Sequence, residues 1–198
     1  ALVQGDVARS RALLARATEL APDSAMGRYA YGMSLLAAGD QARGLEELNK
    51  AVELEPGERG LEFGLSVSLL QAGRHAEAIG VARRLQQSLP ERAEPWVLEG
   101  IAHAAQQDET AARGAFLKAV QLESGDPRAA TALAALDLRA GDLDGARAWY
   151  RQILAHHPDH APTLMHLARL EAQQGQGPAY AEALRAAIAA DSHAPQPY

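Results

Sequence analysis

Two groups of residues carry the side-chain types that enzymes and metal sites use. In the first group, His103, Asp137 and Glu171 follow one another at intervals of 34 residues. In the second group, residues 156–160 read His-His-Pro-Asp-His, so three imidazoles and a carboxylate lie close together in the chain. Imidazole and carboxylate groups can transfer protons or bind a metal ion such as Zn²⁺. Both groups are therefore candidate sites.

The segment 156–160 is better interpreted as a solvated turn than as a metal site. Pro158 interrupts it, so no pair of its histidines forms the i, i+4 arrangement of a helix. The chain has no cysteine and no GxSxG, HExxH or phosphate-binding glycine motif. The sequence thus predicts no catalytic residue, no cofactor and no bound metal ion.

Glycine and proline recur along the chain at the same interval of 34 residues. The glycines are Gly5, Gly39, Gly73, Gly141 and Gly175, with Gln107 at the remaining position of the series. The prolines are Pro22, Pro56, Pro90 and Pro158, with Ser124 as the exception. A period of this length is typical of arrays of stacked helical hairpins.

Each repeat is predicted to contain two helices. Glycine ends the first helix, because the chain turns left-handed there and only a residue without a Cβ does so at little cost. The second helix follows at once. In the repeat that contains Gly39, its apolar residues include Leu45, Leu48 and Val52, and it continues until Pro56. One such pair cannot bury its apolar face alone, so neighbouring pairs are expected to stack.

These residues resemble the tetratricopeptide repeat (TPR) family over the whole chain. One repeat carries the resemblance in Tyr31-Gly32, Leu35, Gly39-Asp40, Leu45, Leu48, Ala51 and Pro56. Another carries it in Trp96, Gly100, Ala112, Phe116 and Ala119. The resemblance implies an all-α fold, a right-handed α-solenoid of stacked antiparallel helix pairs known as the TPR superhelix.

The repeat boundaries predict a single TPR array across residues 1–198, with no domain boundary. Residues 1–24 form a partial repeat that supplies only a second helix, from Val7 to Leu20, after a turn at Gly5-Asp6. Full repeats span 25–58, 59–92, 93–126, 127–160 and 161–194, and residues 195–198 begin a further repeat. We therefore expect the chain to be a segment of a longer array. Local stability should dip at Gln107, and the ring of Tyr180 should push the two helices of the last repeat apart or turn outward.

In TPR proteins the first helix of each repeat lines a concave groove, which the resemblance carries over to particular residues here. The groove residues are Tyr29, Met33, Phe63, Val67, Val97, Ile101, Arg128, Thr131 and Arg169, flanked by Arg139 and His166. The groove would begin apolar and end cationic, which suits a partner with an amphipathic helix and a negatively charged part. Alternatively, the apolar residues pack against one another or against missing repeats. A carboxylate clamp of the co-chaperone type is not expected, because its lysine and asparagine are absent from these positions.

The resemblance also places His103, Asp137 and Glu171 at the interface between helices. Buried ionisable groups are costly unless they are paired. The preferred interpretation is a structural polar ladder that sets the repeat register, and a proton-coupled or metal role is the alternative. The candidate partners are Arg113, Arg147 and Arg151.

Charge and hydropathy exclude two classes of partner. The formal net charge is −6 and no basic run exceeds two residues, so a nucleic-acid partner is not expected. No apolar run approaches the roughly 20 residues that span a bilayer, so this segment is not expected to insert into a membrane. No signal sequence is seen at the start of the chain.

A narrower resemblance concerns biological context. Residues 133–142, 146–150 and 167–171 are similar to bacterial TPR lipoproteins of exopolysaccharide assembly, in particular those of exosortase and PEP-CTERM systems. This implies a membrane-anchored scaffold in the bacterial periplasm rather than the cytoplasm. The leading hypothesis is a non-catalytic scaffold that binds a partner protein or peptide. The alternatives are the substrate-recruiting arm of a larger cytoplasmic enzyme and self-association through uncapped repeat ends.

Overall fold

The computed structural model describes residues 2–174 and positions 181, 184 and 185, with the backbone alone for residues 2–8. This part of the chain contains ten α-helices and no β-strand, which confirms the predicted all-α fold. The helices are α1 (Leu2–Leu20), α2 (Ala25–Ala37), α3 (Gln41–Leu54), α4 (Arg59–Gln71), α5 (His75–Ser88), α6 (Glu94–Ala105), α7 (Glu109–Leu122), α8 (Pro127–Ala140), α9 (Leu143–His156) and α10 (Ala161–Gln173). Gly175, Tyr180 and residues 195–198 lie outside the described residues.

The turns between paired helices have the geometry that the glycine series predicts. Gly39, Gly73 and Gly141 have φ angles of 85°, 73° and 80°. No atom lies within 4 Å of where a Cβ would stand on any of the three, so glycine is needed there for its backbone and not for space. The next residue closes the turn: the Asp40 amide donates to the Leu35 carbonyl at 2.9 Å. Its carboxylate then accepts from the Arg43 amide and caps α3.

Gln107 makes the same turn without being glycine. Its φ angle is 64°, and it is the one non-glycine residue with positive φ among the described residues. Asp108 caps α7 by accepting from the Ala111 amide at 3.0 Å, as Asp40 and Asp142 do after Gly39 and Gly141. The repeat therefore departs from the pattern in residue type but not in conformation.

The N-terminal turn predicted at Gly5-Asp6 is wrong. Helix α1 runs without interruption from Leu2 to Leu20, so Gly5 is helical. Glycine adopts right-handed helical backbone angles as readily as left-handed ones, so its place in the 34-residue series does not by itself require a turn.

The first of two compact units comprises Ala1–Pro90 with Ile101–Gln106, as far as they are described. Its core is built from leucines that are at most 1% exposed: Leu45, Leu48, Leu61, Leu65, Leu69 and Leu85. A Cβ on Gly32 would lie 2.8 Å from the Gly44 carbonyl oxygen, so glycine allows α2 and α3 to approach closely.

The second unit comprises the described residues of Glu91–Gly100 and Gln107–Tyr198. Its core includes Phe116, Leu133 and Ile153, each at most 2% exposed. Here the close approach is between a backbone and a ring, because a Cβ on Gly100 would lie 2.5 Å from the Phe116 ring. Among the helices of either unit that the structure describes, none is long and apolar enough to cross a lipid bilayer.

Candidate partner-binding surfaces

Three large apolar side chains stand exposed at the same position of successive repeats in the first unit. Met33 lies on α2, Val67 on α4 and Ile101 on α6, at intervals of 34 residues. They are 41%, 41% and 43% exposed. We call these three residues the apolar row. Side chains of this kind are usually buried, so a regular exposed series on first helices requires an explanation.

The neighbours of the row hold it in place through contacts between α2 and α4. Tyr29 is half-buried and its ring lies against the backbone of Gly64, where a Cβ would stand 2.1 Å from the tyrosine oxygen. The Ser68 hydroxyl donates to the Gly64 carbonyl at 2.8 Å and lies 4.0 Å from the Met33 sulfur. Phe63 is also half-buried. Tyr29 and Phe63 thus border the row without being fully accessible.

Val97 does not share the exposure of the other predicted groove residues. It occupies the repeat position of Tyr29 and Phe63 but is only 3% exposed. A valine side chain is shorter than an aromatic ring, so it stays below the surface that tyrosine and phenylalanine reach. Val97 is therefore a core residue and is removed from the candidate surface.

A pocket of about 260 Å³ in the second unit brings together three of the predicted groove residues, Thr131, His166 and Arg169. The other lining residues are Ala135, Leu138, Tyr150, Leu170 and Gln173. We call this cavity the basic pocket. Its lining combines apolar side chains with hydrogen-bond donors, and none of its eight lining residues is acidic.

Two of the residues that line the basic pocket, Tyr150 and His166, stack their rings. The centroids of Tyr150 and His166 are 5.6 Å apart and their planes differ by 9°. Burial raises the pKa of Tyr150, against the opposing effect of the Arg169 charge. Burial also lowers the pKa of His166, and the charges of Arg169 and His160 act in the same direction. His166 is therefore neutral at pH 7, while Arg169 supplies the positive charge.

Tyr150 was missed by the sequence analysis. It occupies the repeat position of Leu48, Ala82 and Phe116, all of which are at most 2% exposed. The sequence did carry a sign of a special role for Tyr150, because its ring bears a hydroxyl at a repeat position that otherwise holds purely apolar side chains.

Arg128 and Arg139 do not line the basic pocket. The Arg128 guanidinium turns back to the buried carboxylate of Asp126, with its Nη2 at 2.5 Å and its Nε at 3.0 Å. Arg139 forms an ion pair with Glu109 at 3.1 Å. Both positive charges are compensated by neighbours within the chain, so they are less available to a partner.

Family models match most of the chain. Residues 1–59, 43–93 and 63–127 match one model described as tetratricopeptide repeat, and residues 127–170 match a second with the same description. The chain belongs to the tetratricopeptide repeat family. A comparison with curated protein sequences found no match.

Solved TPR structures share the fold. MamA from Desulfovibrio magneticus RS-1 (residues 41 to the end) is 19% identical with a TM-score of 0.67, covering 80% of this chain and 90% of that one. PilF of Pseudomonas aeruginosa is 21% identical with a TM-score of 0.70, covering 92% and 83%. YrrB, described as a TPR protein with an unusual peptide-binding site, is 18% identical with a TM-score of 0.57, covering 91% and 93%. At this identity the likeness shows the solenoid fold alone, which confirms the predicted fold class.

We call His103, Asp137 and Glu171 the polar series. In this TPR protein, two of its members pair with the predicted arginines. Arg113 donates to the buried Asp137 carboxylate at 2.6 Å, and Arg147 donates to the buried Glu171 carboxylate at 2.8 Å and 3.3 Å. Each pair joins the second helix of one repeat to the first helix of the next. The bond to Glu171 raises the pKa of Arg147. Arg151, the third candidate, is exposed.

The polar series also contains a partner that the sequence analysis missed. The indole Nε1 of Trp149 donates to the second oxygen of Asp137 at 2.8 Å. Asp137 therefore has donors on both oxygens, which satisfies a buried carboxylate. His103, the third member of the series, is half-buried. The paired members of the series hold neighbouring repeats together.

The histidines of segment 156–160 contact different groups. His156 Nε2 lies 3.4 Å from the Ser124 hydroxyl, and His157 Nε2 lies 2.9 Å from the Gly125 carbonyl. His160 caps α10, with its Nδ1 2.7 Å from the Thr163 hydroxyl. In the part of the chain that the structure describes, no three His, Cys, Asp or Glu side chains are grouped as metal ligands.

Proposed function

We propose that this TPR protein is a non-catalytic interaction scaffold that binds a partner protein or peptide on the exposed face of its first helices. The observation that carries the proposal is the apolar row, where Met33, Val67 and Ile101 repeat with nearly equal exposure. Large exposed apolar side chains in a regular series mark interaction surfaces. The peptide-binding site named in the description of YrrB supports a polypeptide as the ligand.

The occupant that best fits the apolar row is an amphipathic helix of the partner. The row presents apolar side chains on successive first helices, and such a surface accepts the apolar face of a helix laid against it. Met26, which is 64% exposed at the start of α2, extends the apolar surface by one side chain. The aromatic rings of Tyr29 and Phe63 border the row and limit where the helix can sit.

The test compares two triple variants, each of which replaces three exposed apolar side chains by serine. In the row variant, Met33, Val67 and Ile101 are replaced by serine. In the control variant, Leu13, Leu54 and Leu117 are replaced by serine, since these are exposed leucines on second helices, 64%, 38% and 45% exposed. Both variants should keep the wild-type circular dichroism spectrum, because none of the six side chains is buried.

Partners captured from the source cells by wild-type protein and identified by mass spectrometry should be lost with the row variant and kept with the control variant. Full retention of every partner by a folded row variant would overturn the proposal. Loss with both variants would also count against it, because the effect would then follow from general loss of apolar surface.

We further propose that the scaffold acts in a bacterial envelope system of the exopolysaccharide type, anchored on the periplasmic side of a membrane. The support is the similarity of residues 133–142, 146–150 and 167–171 to the TPR lipoproteins of such systems. The complete reading frame tests this part of the proposal. A lipobox signal ahead of the array is the expected result, and a cytoplasmic transferase domain in the same frame would favour the recruiting arm of an enzyme instead.

A further inference from the structure

The basic pocket offers a different chemistry from the apolar row. Thr131, His166 and Arg169 place a hydroxyl, an imidazole and a guanidinium around one cavity. Ala135, Leu138 and Leu170 supply the apolar part of its lining. With no acidic side chain in the lining, an anion that entered would be attracted by Arg169 without repulsion from the wall. A ligand that fills both sides needs a short apolar stem with a negative charge at its tip.

We propose that the basic pocket binds the side-chain carboxylate of a glutamate in the partner polypeptide, and that His166 makes this binding tighter as the pH falls below neutral. The inference rests on the proposed function in so far as it assumes a polypeptide partner. Glutamate matches the lining because its two methylenes can lie against leucine while its carboxylate reaches the donors. A free phosphate would leave the apolar side of the cavity unfilled.

The groups that face His166 determine the direction of the pH effect. Tyr150 faces it from α9 and is uncharged at neutral pH, and the α8 residues of the lining carry no charge. Burial opposes protonation of the imidazole most strongly, and Arg169 and His160, on or at the start of its own helix, act in the same direction. A bound carboxylate would act in the opposite direction and favour the imidazolium.

The pH dependence of binding follows from the direction in which a bound carboxylate changes the pKa of His166. Because the ligand raises the pKa of His166, binding takes up a proton, and affinity rises as the pH falls from the pKa of His166 in the complex towards its lowered pKa in the free protein. The gain levels off once His166 is protonated in the free protein as well, and affinity falls again when the ligand carboxyl itself is protonated, near its ordinary pKa of about 4.3. Affinity should therefore pass through a maximum at mildly acidic pH.

Three small probes test the chemistry without knowledge of the partner. N-acetylglutamic acid α-amide carries the proposed side chain, N-acetylglutamine α-amide is its neutral isostere, and N-acetylglycine carries a C-terminal carboxylate. Each is titrated into the whole chain while NMR follows the His166 ring signals, assigned with the His166→Gln variant. The glutamic acid probe should shift these signals saturably and raise the pKa of His166, and its affinity should be about tenfold higher near pH 5.5 than near pH 8.

Two variants and a matched control locate the effect. Arg169→Gln should weaken binding of the glutamic acid probe by about tenfold or more, because the charged hydrogen bonds are lost. His166→Gln should still bind the probe near pH 8 but lose the gain at lower pH. Arg151→Gln is the control, since Arg151 is an exposed arginine of α9 outside the pocket lining. All three positions are at the surface, so the fold should be retained.

Several results would overturn the inference. Equal binding of the glutamine probe would show that the charge is not recognised, and tighter binding of N-acetylglycine would assign the pocket to a C-terminal carboxylate. If none of the three probes shifts the His166 ring signals saturably, the basic pocket is not a carboxylate-binding site. If the probe fails while the row variant loses its partner, this inference fails and the proposed function stands. If the probe binds while the row variant keeps its partner, the proposed function fails and this inference about the basic pocket stands.

Discussion

Gln107 shows at the scale of a single residue how the repeat tolerates a departure from its own pattern. Its φ angle of 64° is the conformation of Gly39, Gly73 and Gly141 at the same position of their repeats. A side chain in this conformation brings its Cβ close to the backbone, at a cost of roughly 1–2 kcal/mol. The turn is kept because the helices on both sides of it impose the conformation.

Replacing this residue by glycine should therefore stabilise the protein. The strain relieved exceeds the extra unfolded-state entropy of glycine, so Gln107→Gly should raise the free energy of unfolding by roughly 0.5–1 kcal/mol. Urea denaturation followed by circular dichroism would measure it. The reciprocal change Gly141→Gln should lower stability by a similar amount, since nothing crowds that position. A loss of stability in Gln107→Gly would show that the glutamine side chain makes a contact worth more than the strain.

Ser66 is a second residue at which the repeat is not optimised. Its side chain is fully buried, and its hydroxyl has no hydrogen-bond partner among the described residues. The same repeat position holds Gly32, Gly100, Ala134 and Ala168. Ser66→Ala should therefore raise the midpoint of thermal unfolding, by the equivalent of about 1 kcal/mol. Ser68→Ala is the control and should give no gain, because the Ser68 hydroxyl is already bonded to the Gly64 carbonyl.

At the scale of helices, the contact between successive repeats is apolar in one part of the chain and ionic in another. Arg147 and Glu171 pair across 24 residues. The equivalent positions near the start of the chain are Leu45 and Leu69, which are both buried. The same helix positions can thus be filled by two apolar side chains or by two opposite charges.

A double-mutant cycle should show that these two solutions are interchangeable. Glu171→Leu leaves Arg147 buried without its main partner, so it should cost about 3 kcal/mol of unfolding free energy. Arg147→Leu should cost a similar amount because it strands Glu171. The double variant reproduces the leucine pair and should recover most of the loss, as measured by urea denaturation. Additive losses in the double variant would show that the ion pair has no apolar equivalent at this position.

At the scale of the whole molecule, net charge restricts the partners. Twenty-five acidic and nineteen basic side chains give −6 at pH 7. Arg128, Arg139, Arg113 and Arg147 are also paired with carboxylates of this chain. We expect no saturable binding to labelled duplex DNA at low salt, measured by fluorescence anisotropy with a basic DNA-binding protein as the positive control. Saturable binding that weakens with added salt would contradict this expectation.

The sequence by itself determined the features that depend on local chemistry and on period. Glycine at Gly39 and proline at Pro56 limit helices through their own backbone restrictions, so the helical pairs could be predicted without knowledge of contacts. The arginine partners of Asp137 and Glu171 were also predictable. In an array with a fixed period, residues of adjacent repeats lie close together in space at positions that the sequence spacing gives.

Only the tertiary structure decided which side chains reach the surface and which meet. In the structure, Val97 is buried and Arg139 pairs with Glu109. Tyr150 stacks on His166 in a pocket that the repeat spacing did not predict. The structure also made α1 continuous through Gly5, where the sequence predicted a turn. These outcomes depend on side-chain length and on packing between helices, neither of which the repeat period contains.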